Sequence, residues 1–235
     1  MRAQASWLAL PPEPWKNGGG VTRTVSVDAV QQPPRWRVSV ADIDRAGPYS
    51  RYAGYDRVSV VLTGGGVALR AGDASVCLAP GVATAFTGDA AFDCRLTDGP
   101  VRVLNLFVLR GAARASVMCI GAPQDPKPAL AGSQHTRQPG SPPAPQLATQ
   151  PVLHAGNLTS DGAMTQTLRI AIAIQAGRLN VAPGADDILL AAGDYAIGLC
   201  ADDAAPIRYI ATTPPRPGGL AAVLLDVVVT APAFP

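Results

Sequence analysis

Three consecutive residues near the N-terminus, Trp15-Lys16-Asn17, bring together a flat apolar wall, a cation and an amide, and Gly18-Gly19-Gly20 follows at once. Glycines there allow positive φ and a close approach of backbone to a ligand. Further polar residues fall on otherwise apolar strand patterns. Arg23 shares a face with Val21, Val25 and Val27, and Arg37 shares one with Ser39. Asp56 and Arg57 open a strand after Gly54-Tyr55, and Asn105 falls between Val103 and Phe107 on one face. A buried arginine needs an anionic partner or several acceptors, and a buried asparagine needs its donors and acceptors met. Taken singly, Arg23 reads equally well as a side chain snorkelling at a strand end, and Asn105 as a loop brace. Together Trp15, Lys16, Asn17, Arg23, Arg37, Ser39, Asp56, Arg57 and Asn105 form a candidate ligand-binding set. Several cations with an amide and a hydroxyl suit a small molecule carrying one or two carboxylates, which guanidinium forks recognise bidentately. Asp56 reads as orienting an arginine rather than as a base.

Other chemistries lack their residues. The only histidines are His135 and His154, neither in a His-x-His strand pair, so no three-histidine metal site can be assembled and no metal is expected. No Lys-Ser/Thr follows the glycines, which removes a Walker loop. Gly18 to Gly20 precedes a strand pattern rather than a helix, which removes the dinucleotide fingerprint and leaves no expected cofactor. No Gly-x-Ser-x-Gly elbow occurs, and two histidines in loop-like sequence make a Ser-His-Asp triad a poor reading. No catalytic residue is assigned.

The elements that must position these residues read as strands. The 235 residues can bury one large or two small β cores, and the abundant glycine and proline punctuate short apolar runs. Alternation marks 21–27 and 36–43; short apolar strands follow at 58–62, 67–70, 75–78, 84–86, 92–96 and 101–109. Gly64-Gly65-Gly66 reads as the turn of a hairpin joining 58–62 to 67–70. Residues 122–151 are rich in Pro, Gln, Ser and Ala and read as a linker or mobile loop. Strand patterns resume at Met164 and continue through 168–174, 179–181, 188–190, 195–199, 207–210 and 220–229. Both halves show a strand, a Gly turn, a strand and a Gly-centred corner, the repeat of a small jelly-roll barrel. The expected architecture is all-β, with barrels at 1–121 and 152–235. A net charge of +2 offers no case for nucleic acid or an anionic membrane, and Leu220 to Val229 is too short to span a bilayer. The four cysteines lack the spacing of a zinc or redox pair and read as free buried thiols, and the absence of a signal-like N-terminus leads to a cytoplasmic expectation.

The segment Pro14-Trp15-Lys16-Asn17-Gly18-Gly19-Gly20-Val21-Thr22-Arg23 resembles the signature of the HutD family, also called the Ves family. Trp36-Arg37-Val38-Ser39-Val40-Ala41, Gly47-Pro48-Tyr49-Ser50, Gly54-Tyr55-Asp56-Arg57, Phe86-Thr87-Gly88-Asp89 and Leu104-Asn105-Leu106 match in order, over roughly residues 7–111. The resemblance implies a bicupin fold without the usual cupin metal, an association with bacterial histidine utilisation, and binding of an intermediate such as formylglutamate; Ves-type members are linked to environmental stress. The Pro-rich insertion after residue 111 departs from the pattern. Three functions follow in order of preference. The first is non-catalytic binding of a small carboxylate in a regulatory role. The second is a metal-independent isomerase or hydrolase, with Lys16 or Asp56 as acid or base. The third is a protein-interaction module in which Trp15 and the glycines only pack. A homodimer is left open.

Overall fold

The computed structural model describes residues 1–121, 152–153, 165–200, 206–215 and 219–230. In chain order the strands are β1 (Arg2–Ser6), β2 (Glu13–Pro14), β3 (Gly20–Val27), β4 (Trp36–Ile43), β5 (Gly47–Tyr49), β6 (Tyr55–Thr63) and β7 (Val67–Ala71). Then come β8 (Ala74–Leu78), β9 (Thr84–Thr87), β10 (Phe92–Leu96), β11 (Val101–Leu109), β12 (Ala113–Gly121) and β13 (Val152–Leu153). The last are β14 (Thr165–Ala173), β15 (Gly177–Asn180), β16 (Ile188–Leu190), β17 (Asp194–Cys200), β18 (Arg208–Ala211) and β19 (Leu220–Thr230). A 3-10 turn, Trp7–Ala9, is capped by the Ser6 hydroxyl, which accepts from the Leu8 amide.

Four antiparallel sheets result. One six-stranded sheet runs β2-β3-β4-β11-β6-β9 and faces a four-stranded sheet, β5-β10-β7-β8. The other runs β1-β17-β14-β19-β12-β13 and faces a three-stranded sheet, β16-β15-β18. Period-two alternation sends each six-stranded sheet's two faces to different cores. From β4, β6 and β11, Trp36, Val38, Val40, Val58, Val60, Leu104, Leu106 and Val108 join Leu168, Ile170, Ile172, Leu225 and Val227 in a central cluster between the two six-stranded sheets. The opposite residues, Ala41, Ile43, Val61, Val101 and Val103, pack with Val67, Leu69 and Leu78 inside the N-terminal barrel. Ala171, Ala173, Leu179, Tyr209 and Leu224 fill the C-terminal barrel. Strands covered on both faces explain why 58–62 and 220–225 read as continuous apolar runs. The fold is the expected all-β pair of jelly-roll barrels.

The structure corrects four expectations. Gly64-Gly65-Gly66 does not close a hairpin: β6 pairs with β9 and β11, whereas β7 pairs with β8 and β10. The glycines instead turn a corner between sheets. A Cβ on Gly64 would lie 2.6 Å from the Pro100 carbonyl oxygen, and one on Gly65 2.6 Å from Asp98 Cβ. The tight hairpin is β7–β8, turned by Gly72-Asp73. Second, the alternation over 21–27 breaks at a bulge between Thr24 and Ser26, so Val25 is buried while Val27 is exposed. Third, residues 1–121 do not all belong to the first barrel. Strands β1 and β12 pair with β17 and β19 in the second barrel's sheet. Strand β12 escapes pattern reading because its buried positions include the small Ala113 and Ala115, weak strand signals beside Val and Ile. Fourth, Cys94 is buried but Cys77 is exposed and Cys119 is half-buried. Burial pushes the Cys119 thiol up to about 11. The linker or loop expected at 122–151 lies outside the described residues.

Asp28 and Arg35 clamp the loop between β3 and β4. The Arg35 Nε lies 2.6 Å from Asp28 Oδ2, and the Val30 and Arg35 amides donate to the same carboxylate. Burial alone would raise the Asp28 carboxyl, but these hydrogen bonds and the guanidinium hold it below its ordinary 3.8. A depressed carboxyl stabilises the fold above its unfolded value and loses that contribution as pH falls through the folded one. Acid titration followed by circular dichroism will show a shallower loss of stability below that unfolded value in Asp28→Asn than in wild type. In urea, Leu104→Ala, in the central cluster, will cost about 2–5 kcal/mol, whereas Leu189→Ala, on the exposed outer face, will stay within about 0.5 kcal/mol.

Candidate functional site

Antiparallel register lines up two polar rows on the inner face of the N-terminal barrel. Asn105 on β11 is opposite Ser39 on β4 and Ser59 on β6; one step along, Phe107 is opposite Arg37 and Arg57. Strand β9 extends the second row by setting Phe86 opposite Arg57. These rows floor a cavity of about 150 Å³ lined by Glu13, Pro14, Trp15, Thr22, Arg37, Ser39, Ala41, Tyr49, Ser50, Tyr52, Arg57, Asn105 and Phe107.

Arg57 is 3% exposed. Its Nη1 donates to the Ser50 carbonyl at 3.0 Å and its Nη2 to Asn105 Oδ1 at 3.1 Å, while its buried Nε has no partner. The guanidinium carbon lies 4.5 Å from the Tyr49 ring centre, 4.6 Å from Phe107, 5.0 Å from Phe86 and 5.7 Å from Tyr52. Ring faces attract a cation but cannot neutralise it. Among the described residues no carboxylate pairs with Arg57. Desolvation therefore pushes its titration down, opposed by Tyr49 and Tyr52.

Asn105 holds this arrangement together. Its Oδ1 accepts from Ser59 Oγ at 2.7 Å and from Tyr49 Oη and Arg57 Nη2 at 3.1 Å each. An arginine only donates, so the amide oxygen must face Arg57. Nearer the mouth, Arg37 Nη2 donates to Thr24 Oγ1 at 2.7 Å and lies 3.4 Å from the exposed Glu13 carboxylate; its Nη1 donates to Tyr52 Oη at 3.4 Å. Trp15 walls one side: its indole N–H donates to Thr22 Oγ1 at 2.7 Å, and its ring meets Tyr49 edge-on.

Of the nine residues expected at a ligand site, Trp15, Arg37, Ser39, Arg57 and Asn105 converge on this cavity. The other four do not line it. Lys16 is exposed. Asn17 closes the signature turn, accepting from the Gly19 amide at 2.9 Å. Around it Gly18 takes φ +63, and a Cβ on Gly20 would fall 2.2 Å from the Asp42 carbonyl oxygen. The glycines thus serve chain packing here. Arg23 faces away because strand alternation opposes it to Thr22 and Thr24, and it pairs with Asp42 at 2.7 Å. Asp56 orients an arginine, as expected of it, but that arginine is Arg110, at 3.0 Å on the exposed side of β6. Arg110 also binds Asp89, whose carboxyl drops to about 2 under hydrogen bonds from the Gly54 amide, Arg110 and Thr87.

Sequence reasoning missed Glu13, Thr22, Tyr49, Ser50, Tyr52 and Phe107. The signal for Thr22 was its place opposite Arg23 in an alternating strand. Tyr49 falls in the Gly47-Pro48-Tyr49-Ser50 match, but only its crossing from the facing sheet brings it to the cavity. No group of three or more His, Cys, Asp or Glu gathers among the described residues to hold a metal. His135 and His154 lie outside them.

Residues 9–137 match the family model described as HutD. The chain belongs to the HutD family. A 21.2 kDa uncharacterized protein in the hutC 3′ region of Pseudomonas putida is 41% identical over 100 residues, covering 41% of this chain and 53% of that one. The chain thus spans about half the length of that curated relative. A conserved protein of unknown function from Pseudomonas aeruginosa PAO1 superposes with a TM-score of 0.60 at 24% identity, covering 95% and 96% of the two chains. HutD from Pseudomonas fluorescens SBW25 superposes with 0.57 at 21% identity, again covering 95% and 96%. Both likenesses show a shared fold over nearly the whole chain. Among the described residues no helix is long and apolar enough to cross a membrane.

Replacing Asn105 by leucine removes one acceptor from three donors. Each buried donor left unmet costs about 1–3 kcal/mol, more when charged. Chemical denaturation of Asn105→Leu will therefore show a loss of at least about 3 kcal/mol, exceeding that of Asn105→Ser, whose hydroxyl keeps an acceptor near Ser59.

Proposed function

We propose that this HutD-family protein binds a small carboxylate metabolite in the N-terminal cavity, as a regulator or sink in histidine utilisation rather than as a catalyst of turnover. The observation that carries the reading is the desolvated Arg57 guanidinium at the cavity floor, packed by four aromatic rings and lacking a carboxylate partner among the described residues. A positive field in a low-dielectric cleft favours an anion. Arg37 and the hydroxyls of Thr22, Ser39 and Tyr52 supply donors around the same space. Among the described lining residues Glu13 is the one carboxylate. Arg37, more exposed than Arg57, is the direct counter-ion in this reading; Arg57 sets the field behind it.

A cavity near 150 Å³ is the size that encloses a benzene-like body. It would hold a carboxylate head and a few carbons, with the rest of a longer molecule leaving past Glu13. Formylglutamate fits that description, with one carboxylate inside and its formamide and second carboxylate toward the mouth. Lys16 and Asp56, the acid and base that turnover would have used, lie outside the lining, which favours binding over catalysis.

Calorimetry with formylglutamate tests the reading. A hydrogen bond to a charged group contributes about 1.5–3 kcal/mol, so Arg37→Met will weaken binding by about tenfold or more. Lys16→Met will leave it within about twofold, since an exposed charge contributes little. Equal affinity in wild type and Arg37→Met would sink the assignment.

A further inference from the structure

The two barrels share one strand arrangement, except that β5 has no counterpart in the second. In the first, β11 is flanked by β4 and β6; in the second, β19 is flanked by β12 and β14. Strand β7 pairs with β8 and β10, as β15 does with β16 and β18. The equivalence extends to single residues. Ser39 and Ser116 are each fourth in their strand, and Ser59 and Arg169 are each fifth. Asn105 and Asp226 each stand four residues before the strand's end. Register confirms the row, because Asp226 lies opposite both Ser116 and Arg169, as Asn105 lies opposite Ser39 and Ser59.

This second row also floors a cavity. Its volume is about 160 Å³, and Ser116, Met118, Arg169, Pro206, Ile207, Leu224 and Asp226 line it. The polar chemistry differs from that of the first barrel. Arg169 has a side chain only 9% exposed and reaches Asp226 at 3.2 Å, while the Asp226 side chain is 34% exposed. Burial pushes the Asp226 carboxyl up despite Arg169, so the carboxylate is incompletely solvated. One step along the same face, Arg114 occupies the position equivalent to Arg37, and its buried Nε has no partner. A carboxylate thus stands beside the Arg169 guanidinium, beneath walls made by Met118, Pro206, Ile207 and Leu224.

We propose that the C-terminal barrel holds a second small-molecule site, in the cavity floored by Ser116, Asp226 and Arg169, that takes a zwitterionic α-amino acid with an apolar side chain. Asp226 accepts from the ammonium, the arginine side receives the carboxylate, and the apolar walls receive the side chain. Ammonium and carboxylate stand on one carbon in such a ligand, which suits an acceptor and a donor 3.2 Å apart. Neither a simple carboxylate nor a simple amine satisfies both groups, and each sets its own charge beside a like one.

The probes are L-valine, isobutyrate and isobutylamine, titrated into the full chain by calorimetry and by NMR. Valine will bind at least about tenfold more tightly than either half-ligand, as losing one charged contact requires. Asp226→Asn will weaken valine by a similar factor, and so will Met118→Trp, which fills the cavity without touching the ion pair. Should Asp226→Asn fail to fold, Met118→Trp decides. Arg37→Met, which disables the first site, will leave valine affinity unchanged. The proposal is overturned if valine does not bind at high millimolar concentration, if isobutyrate or isobutylamine matches it, if Met118→Trp binds it normally, or if Arg37→Met abolishes binding.

Discussion

A buried guanidinium with no carboxylate against it among the described residues governs the N-terminal barrel. Moving such an ion from water costs several kcal/mol even after the protein relaxes. Arg57 offsets this with two carbonyl-type acceptors and four ring faces, and it still leaves Nε unmet. The choice of acceptor matters. An aspartate at position 105 would relieve the desolvation more fully, but it would cancel the charge. Asparagine supplies the acceptor without the negative charge, so the cavity floor stays electropositive. The residual cost is the property that an anionic ligand would relieve.

Such a floor works only if it is rigid, and its rigidity comes from behind. Arg57, Asn105 and Ser39 alternate with Val58, Leu104, Leu106, Val38 and Val40, which are packed into the central cluster against the second barrel's sheet. A shift of one residue in any of these strands would exchange the polar row for the apolar one. The exchanged strands reinforce this coupling: the chain starts in the second barrel's sheet at β1, builds the first barrel, and returns at β12. The first site's geometry therefore depends on apolar residues of both halves, although every residue lining it comes from 13–107.

Much of this was legible in the sequence because alternation is a local signal. The spans expected for 188–190, 92–96 and 101–109 coincide with β16, β10 and β11, and the polar interruptions at Arg37, Ser39, Arg57 and Asn105 marked the inner face. What was not legible is non-local. Arg23 and Arg37 look alike in sequence, yet the face each takes depends on which neighbour pairs in which register. The Gly64 corner resembles a hairpin until the contacts to Asp98 and Pro100 are known. Tyr49 ends the short strand β5 and Tyr52 lies in the loop after it, and both reach the cavity only when the four-stranded sheet folds over. Within the signature, Lys16, Asn17 and Arg23 do not line the cavity, and Asn17 with its glycines shapes a turn beside it.

Duplication explains how one scaffold can carry two electrostatic characters. The central cluster draws on the outward faces of the two six-stranded sheets and on Trp7, so the inward faces are free to differ. At equivalent positions the first barrel has Ser59 and Asn105, and the second has Arg169 and Asp226. In the first, the cation stands one step along the strand, at Arg57, and is met by neutral groups. In the second, that position is Thr167, and the cation sits in the row itself beside a carboxylate. Moving a guanidinium by two residues along a strand keeps it on the same face, as strand geometry requires. It also changes whether the charge is matched across the ladder. The apolar half of the pattern builds the fold, and the polar half sets what each barrel can hold.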